Sequence, residues 1–403
     1  MKLLFLTDNF PPEVNAPANR TYEHCKEWVK SGVEVTIITC VPNFPKGQVY
    51  PGFKNKFLQK ETMDGIQVIR VWSYITANEG FVKRILDYIS YAFMAFWVGL
   101  FVKTDLIVAT SPQFFTAVSG WILSFFKRKK WVMEVRDLWP ESIMAVGAMK
   151  RNLFIIFFEW LEGVLYRSAD HVIVVTDTFK EKIIARGIDS NKISVFKNGA
   201  NLELFQPSIK PLDLVEKHNL EGKFIFGYIG THGMAHGLHF VLESIEELQE
   251  KFPSIRFLFI GDGAEKKNLI KKAYDLNLKN TIFLDSVPKK EVVRYLNLMD
   301  VALVNLKKSD TFLTVIPSKI FEAAAMEKPI LLGLEGETKS IIKMYNAGRS
   351  FQPEVKESFL KELINIYQDK EEYLGYIQGC RNLSKDFDRK KIAGQMLLTL
   401  NAI

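Results

Sequence analysis

The residues best suited to chemistry lie in the stretch Thr314-Val-Ile-Pro-Ser-Lys-Ile-Phe-Glu-Ala-Ala-Ala-Met-Glu-Lys-Pro-Ile330. Pro is favoured in the first turn of a helix and Ser can cap one, so Pro317-Ser318 reads as a helix start. Ile320, Phe321 and Ala323 to Met326 supply a buried helix, and Lys328-Pro329 ends it. Ser318 and Glu322 lie four apart, Lys319 and Glu322 three apart, so the three can share one face. That face offers a cation and free backbone N–H groups at the positive end of the helix, with a carboxylate one turn further in. The first part suits a diphosphate. The carboxylate suits a ribose with two hydroxyls. An ordinary capped helix with an i, i+3 Lys–Glu pair explains the same letters equally well.

Other polar clusters are loops between apolar runs. Gly230-Thr-His-Gly-Met-Ala-His-Gly237 can cradle oxygens with backbone N–H groups beside its glycines. Gly261-Asp-Gly263 fails as a dinucleotide fingerprint, because the third Gly position is Lys266. No Asp-x-Asp pair is placed to hold a metal, so no metal or other cofactor is expected. His24 and His171 read as ordinary helix and strand residues.

These loops need elements to hold them. Short apolar runs at Leu3–Leu6, 33–39 and 66–72 read as strands, with a helix at 19–31 and a long loop from Cys40 to Met63. Strand and helix alternate from there, which predicts a parallel sheet with helices on both faces. Residues 206–220 read as a connection, after which the alternation restarts at Phe224. The expected fold is α/β, with two facing doubly wound, Rossmann-like domains and a ligand cleft between them. Their expected extents are 1–200 and 201–384, with a helix at 385–403 packing back on the first.

The chain has 403 residues, 48% of them hydrophobic, enough for two cores. Its net charge of +7 suits an anionic partner. Three scattered cysteines argue for a reducing compartment and against a disulfide frame or zinc site. The N-terminus reads as lacking a signal peptide. Residues 81–126 and 150–167 carry aromatic helices flanked by basic residues, a pattern that suits a membrane interface as well as a sheet-covering core. The apolar run Tyr88–Val102 is shorter than the roughly 20 residues a span needs. Basic residues interleaved with apolar helices, with no recognised motif, argue against a nucleic-acid partner.

Arg136-Asp-Leu-Trp-Pro-Glu141, Lys197-Asn-Gly-Ala-Asn201 and Pro317-Ser-Lys-x-x-Glu322 together resemble retaining family 4 glycosyltransferases of GT-B architecture. Within them the chain is similar to bacterial O-antigen and capsule enzymes, especially transferases of N-acetyl-L-fucosamine. The resemblance implies a nucleotide-sugar donor, UDP-linked, and a polyprenyl-diphosphate-linked saccharide acceptor. It implies an enzyme on the cytoplasmic face of the inner membrane. It assigns the donor to Asn198, Gly230, Thr231, His232, His236, Val287, Thr314, Pro317, Ser318, Lys319 and Glu322. It assigns the acceptor to Pro12, Asn15, Arg136, Asp137 and Glu141, and catalysis to Asp137, Lys319 and Glu322. The chain departs from the family in several places. Lys197 and Asn201 stand for a Pro and an Asp, Thr231 or His232 for an Arg, and Arg136 for a His. Three more departures bear on the donor site. His236 stands for a Lys, Thr314 for a Glu, and Asn15-Ala16 for a Gly pair. A sugar-nucleotide 2-epimerase and a non-catalytic subunit of a polysaccharide assembly complex remain open alternatives.

Overall fold

In the computed structural model, which describes residues 1–44, 46–76, 81–111, 113–141 and 152–403, the chain forms two compact units. One comprises Met1–Lys197 and Arg389–Ile403, the other Asn198–Asp388.

The first unit holds β1 (Lys2–Leu6), β2 (Glu34–Cys40), β3 (Leu58–Met63), β4 (Ile66–Val71), β5 (Leu106–Thr110), β6 (Lys130–Val135), β7 (His171–Val174) and β8 (Ile193–Val195). They form one sheet in the order β3-β4-β2-β1-β5-β6-β7-β8, parallel except for β3 against β4. The central strands are predominantly apolar because helices cover both faces. On one face lie α1 (Ala16–Lys30) and the C-terminal helix Arg389–Ala402, packing Cys25, Trp28, Met396 and Leu400 against Leu3 and Phe5. The Trp28 indole N–H donates to the Ala393 carbonyl at 2.8 Å. On the other face lie α2 (Phe81–Leu100), α3 (Phe114–Lys127) and α4 (Leu153–Ser168), which bury Tyr91, Met94, Leu123, Phe158 and Leu165.

Two local readings change. The expected loop from Cys40 to Met63 ends in strand β3, paired antiparallel to β4 through an Asp64-Gly65 turn with φ of +48° and +82°. That is the left-handed pair a two-residue hairpin favours. β3 is polar at four of six positions (Gln59, Lys60, Glu61 and Thr62) because it lies at the sheet edge, where charge blocks further pairing. α1 begins at Ala16 rather than 19, since the Asn15 side chain accepts the Ala18 N–H at 2.8 Å and Pro17 fits the first turn.

The second unit holds β9 (Phe224–Ile229), β10 (Ile255–Ile260), β11 (Thr281–Leu284), β12 (Val301–Asn305), β13 (Ile330–Gly333) and β14 (Gly348–Ser350). All are parallel, in the order β11-β10-β9-β12-β13-β14. Strand order reverses between β1 and β5 in the first sheet, and between β9 and β12 in the second. Doubly wound sheets bind ligands at the carboxyl ends of such strands. Among the described residues, no helix is long and apolar enough to cross a membrane.

Candidate active site

In the second unit, the candidate residues gather where β9 and β12 diverge. Lys319 opens the helix Lys319–Ala325, which follows β12. Its Nζ donates to the Tyr228 hydroxyl at 3.0 Å and sits 4.1 Å from the centre of that ring. The hydroxyl in turn donates to the Thr231 carbonyl at 2.7 Å. Residue surface remains on Lys319, yet burial of the ammonium pulls its pKa down to about 8, against the opposing pull of Glu322. The cation is therefore charged at neutral pH and poorly hydrated, so an incoming anion would be attracted strongly. Gly230 has φ +148°, and a Cβ there would collide with the Lys319 ammonium. Gly261, at φ +147°, lets the loop after β10 lie against the Gly230 carbonyl.

The loop after β9 is held by its backbone. His232 N–H donates to the Asp262 carbonyl at 2.9 Å, and its own carbonyl takes the Glu265 N–H at 2.9 Å. The His232 ring is fully buried, and among the described residues neither ring nitrogen has a hydrogen-bond partner. Burial first, then Lys266 and Lys319, push its pKa down to about 4. His236 falls to about 4 for the same leading reason, with Lys319 and His232 adding to it. Both rings are neutral at pH 7, so each supplies one N–H donor and no charge. The His236 carbonyl accepts from Asn305 Nδ2 at 2.9 Å, which ties this loop to the end of β12. Thr231 is exposed.

Around this centre, Val287 is half-buried in the loop after β11, packed with Leu284 on the core. Lys266 fastens that loop, donating to the Leu284 carbonyl at 3.1 Å and the Gly261 carbonyl at 2.9 Å. Glu322 lies on the same helix as Lys319, and the two line a cavity of about 30 Å³ with Gly227 and Met299. Pro317 and Ser318 are half-buried. The expected Ser318 side-chain cap is absent, because Ser318 itself has helical backbone angles and its hydroxyl makes no cap bond. The helix has only seven residues. The ammonium thus replaces the helix end as the main source of positive field. Thr314 donates its hydroxyl to the Thr311 carbonyl at 3.2 Å inside its own turn, leaving the oxygen only as an acceptor. Asn198 is half-buried at the head of this unit.

In the first unit, the Arg136 amide donates to Ser111 Oγ at 2.8 Å and its guanidinium to the Pro17 carbonyl at 3.3 Å. Burial lowers its pKa to about 10, while Glu134 opposes the shift. Asp137 beside it is half-buried, and Pro12 is exposed. Asn15 caps α1 and donates to Asn9 Oδ1 at 2.7 Å, so its amide is occupied within its own loop. Glu141 is half of two ion pairs. Lys182 at 2.5 Å and Arg186 at 3.3 Å hold it.

Sequence reasoning missed Tyr228, Asn305 and an acidic group in the first unit. Asp8 lies two residues beyond β1 and accepts from Asn9 Nδ2 at 2.6 Å and from Gln113 Nε2, bridging the β1/β5 reversal point. Burial pushes Asp8 and Asp87 up to about 7 and raises Glu13, whose Oε1 takes the Asn43 and Phe44 N–H groups at 2.8 and 2.9 Å. The available signal was an acid in the loop that follows an apolar strand.

Both units have known counterparts. Residues 15–199 match the "Glycosyl transferase 4-like domain" family, and residues 213–382 match "Glycosyl transferases group 1". Together these place the chain among the GT-B glycosyltransferases of the group 1, 4-like class, and it is an enzyme of that class. It is 24% identical to the putative colanic acid biosynthesis glycosyl transferase WcaI of Escherichia coli K12, over 84% of each chain. It is 27% identical to the Escherichia coli UDP-Gal:alpha-D-GlcNAc-diphosphoundecaprenol alpha-1,3-galactosyltransferase, over 56% of this chain and 58% of that one. In fold it is similar to sucrose-phosphate synthase from Thermosynechococcus elongatus, with a TM-score of 0.79 at 16% identity over 100% of this chain and 98% of the other.

Proposed function

We propose that the chain moves a sugar from a UDP-linked donor to a polyprenyl-diphosphate-linked saccharide, in the assembly of a bacterial surface polysaccharide. The observation that carries this reading is the desolvated Lys319 ammonium, held between Tyr228 and Gly230 at the reversal point of the second sheet. As the bond from anomeric carbon to phosphate oxygen breaks, negative charge grows on the leaving diphosphate. A fixed cation and N–H donors in a poorly hydrated site stabilise that charge more than the ground state. Lys319, the neutral His236 ring and the Gly230–Gly237 backbone supply them. Glu322 takes the ribose hydroxyls. In the first unit Asp137 orients the acceptor hydroxyl or takes its proton, and Arg136 stands beside it.

The resemblance to family 4 enzymes supports retention of the anomeric configuration. It also supports N-acetyl-L-fucosamine or a related amino sugar as the cargo, with no metal required. The name of one relative supports the acceptor class, and an acceptor of that class supports a location at the cytoplasmic face of the inner membrane. The test is incubation with a panel of UDP- and GDP-sugars, with and without a lipid-diphosphate saccharide, followed by analysis of the product anomer. Acceptor-dependent release of UDP with a retained anomer is expected. Turnover of the nucleotide sugar without any acceptor contradicts the reading and favours an epimerase.

A further inference from the structure

The outer side of the layer formed by α2, α3 and α4 is apolar where a water-facing layer would be polar. Along α2, Val82, Leu86, Ile89, Phe93 and Trp97 repeat at three- and four-residue steps and are each between 43% and 69% exposed. That is one helical stripe, pointed away from the sheet. Phe125 and Phe126 continue it at the end of α3, at 78% and 63% exposed. Ile156, Phe157 and Trp160 continue it on α4, at 47%, 51% and 58%. The helices lie side by side, since Phe96 of α2 meets Phe126 of α3 at 5.6 Å and Phe115 of α3 meets Phe158 of α4 at 5.8 Å. A contiguous apolar surface of this kind marks an interaction site.

Its charge identifies the occupant. Lys83 and Arg84 are exposed at one end of α2, and Lys103, Arg128, Lys129 and Lys130 at the other. Beside that second group opens a groove of about 660 Å³ lined by Trp121, Phe125, Phe126, Arg128 and Lys129. Asp170 also borders it and accepts the Trp131 amide at 2.8 Å. We infer that this face docks on a bilayer containing anionic phospholipid, with the aromatic side chains in the interface and the flanking cations on the headgroup phosphates. A protein partner would need an apolar surface with complementary acidic ends; a bilayer presents both features by itself. The inference deepens the lipid-linked acceptor reading by naming the surface that meets the lipid, although the docking itself requires neither donor nor acceptor.

The test uses the full chain and vesicles of phosphatidylcholine with or without phosphatidylglycerol. Wild type is expected to co-sediment with the anionic vesicles, less so as salt rises, and its tryptophan emission is expected to be quenched by brominated lipid. Trp97→Ser combined with Phe157→Ser should weaken binding roughly tenfold, from the apolar area withheld. Arg128→Gln and Lys129→Gln should each weaken it about fivefold. UDP binding by calorimetry should stay at the wild-type value in all of them. Equal binding to both vesicle types, or none, overturns the inference, as does a concentration-dependent dimer that Trp97→Ser dissolves while vesicles are ignored. Quenching of the wild type keeps the test independent of how the variants fold. A chain that transfers sugar but ignores vesicles sinks the docking alone; one that binds vesicles without turnover sinks the transferase reading alone.

Discussion

The Lys319 ammonium lies 3.0 Å from the Tyr228 hydroxyl and 4.1 Å from the centre of its ring, so one tyrosine contacts the cation through both its π face and its oxygen. This fixes the cation over Gly230 before any ligand arrives, and a fixed charge costs little reorganisation when the leaving group forms. Tyr228→Phe keeps the ring and removes the oxygen. It should weaken UDP binding about fivefold, the value of roughly one hydrogen bond. Tyr228→Leu should weaken it further. Calorimetry with UDP checks both, and unchanged affinity in Tyr228→Leu would remove Tyr228 from the account.

Lys319 also predicts opposite effects on binding and stability. Its folded pKa of about 8 lies below the ordinary 10.5. UDP affinity should therefore hold below pH 8 and fall as the ammonium loses its proton above it. Between pH 8 and 10.5 the unfolded chain holds the proton more tightly, so the cost of burying this charge is complete below pH 8 and fades as pH rises through that window. Lys319→Met should abolish UDP binding and, at pH 7, raise stability by about 1 kcal/mol, a few degrees in Tm. Calorimetry and thermal unfolding read the two effects. A Tm that falls would mean that the cation stabilises the fold.

Gly230→Ala places a methyl group on the ammonium in a left-handed backbone region. Such a change should cost about 1–3 kcal/mol of stability and displace Lys319. UDP affinity should drop more than in Tyr228→Phe. Wild-type Tm and affinity in the alanine variant would contradict the close approach.

Asp8 titrates in the opposite sense to a salt-bridged acid. Burial raises it from 3.8 to about 7, so the folded chain holds the proton more tightly and this residue's contribution declines as pH rises from about 4 to 7. Asp8→Asn keeps an acceptor for Asn9 and removes the charge. It should leave Tm unchanged near pH 4 and raise it above pH 7, so its Tm-against-pH curve runs flatter than that of the wild type. Parallel curves would show that Asp8 titrates normally.

The Arg20–Glu134 pair is 3.1 Å apart with both side chains 2% exposed, and Arg20 also donates to the Lys197 and Phe196 carbonyls. Removing one charge strands the other in the core. Arg20→Met should cost about 3–5 kcal/mol in denaturant unfolding of the first unit, with Arg20→Met plus Glu134→Leu recovering part of it. A double variant less stable than the single would contradict burial as the cause.

How much of this the sequence disclosed depended on range. The α/β alternation and the doubly wound sheets follow from local periodicity, and the Lys319–Glu322 spacing is set by one helical turn. Tyr228 was invisible as a partner because it lies 91 residues from Lys319 and reads as one more strand aromatic. Asp8 was hidden likewise, its contact with Gln113 spanning 105 residues. Ser318 misled because a serine before a helix caps it only with extended backbone angles, and the chain reaches Ser318 already helical. The ion pairs of Glu141 were not legible either, because Lys182 and Arg186 come to it from a distant segment of the chain. The sequence showed α2 as an apolar, aromatic run with basic flanks, and its outer face emerged only when the helix on the sheet showed which side Tyr91 and Met94 fill.

The most direct test compares acceptor-dependent UDP release by wild type with release by Lys319→Ala and Glu322→Ala, using a lipid-diphosphate saccharide. The account predicts turnover in the wild type and a loss of at least roughly a hundredfold in Lys319→Ala, the scale of removing one transition-state donor. It predicts a weaker donor affinity in Glu322→Ala. Wild-type rates in Lys319→Ala would contradict the claim that this buried ammonium stabilises the departing diphosphate.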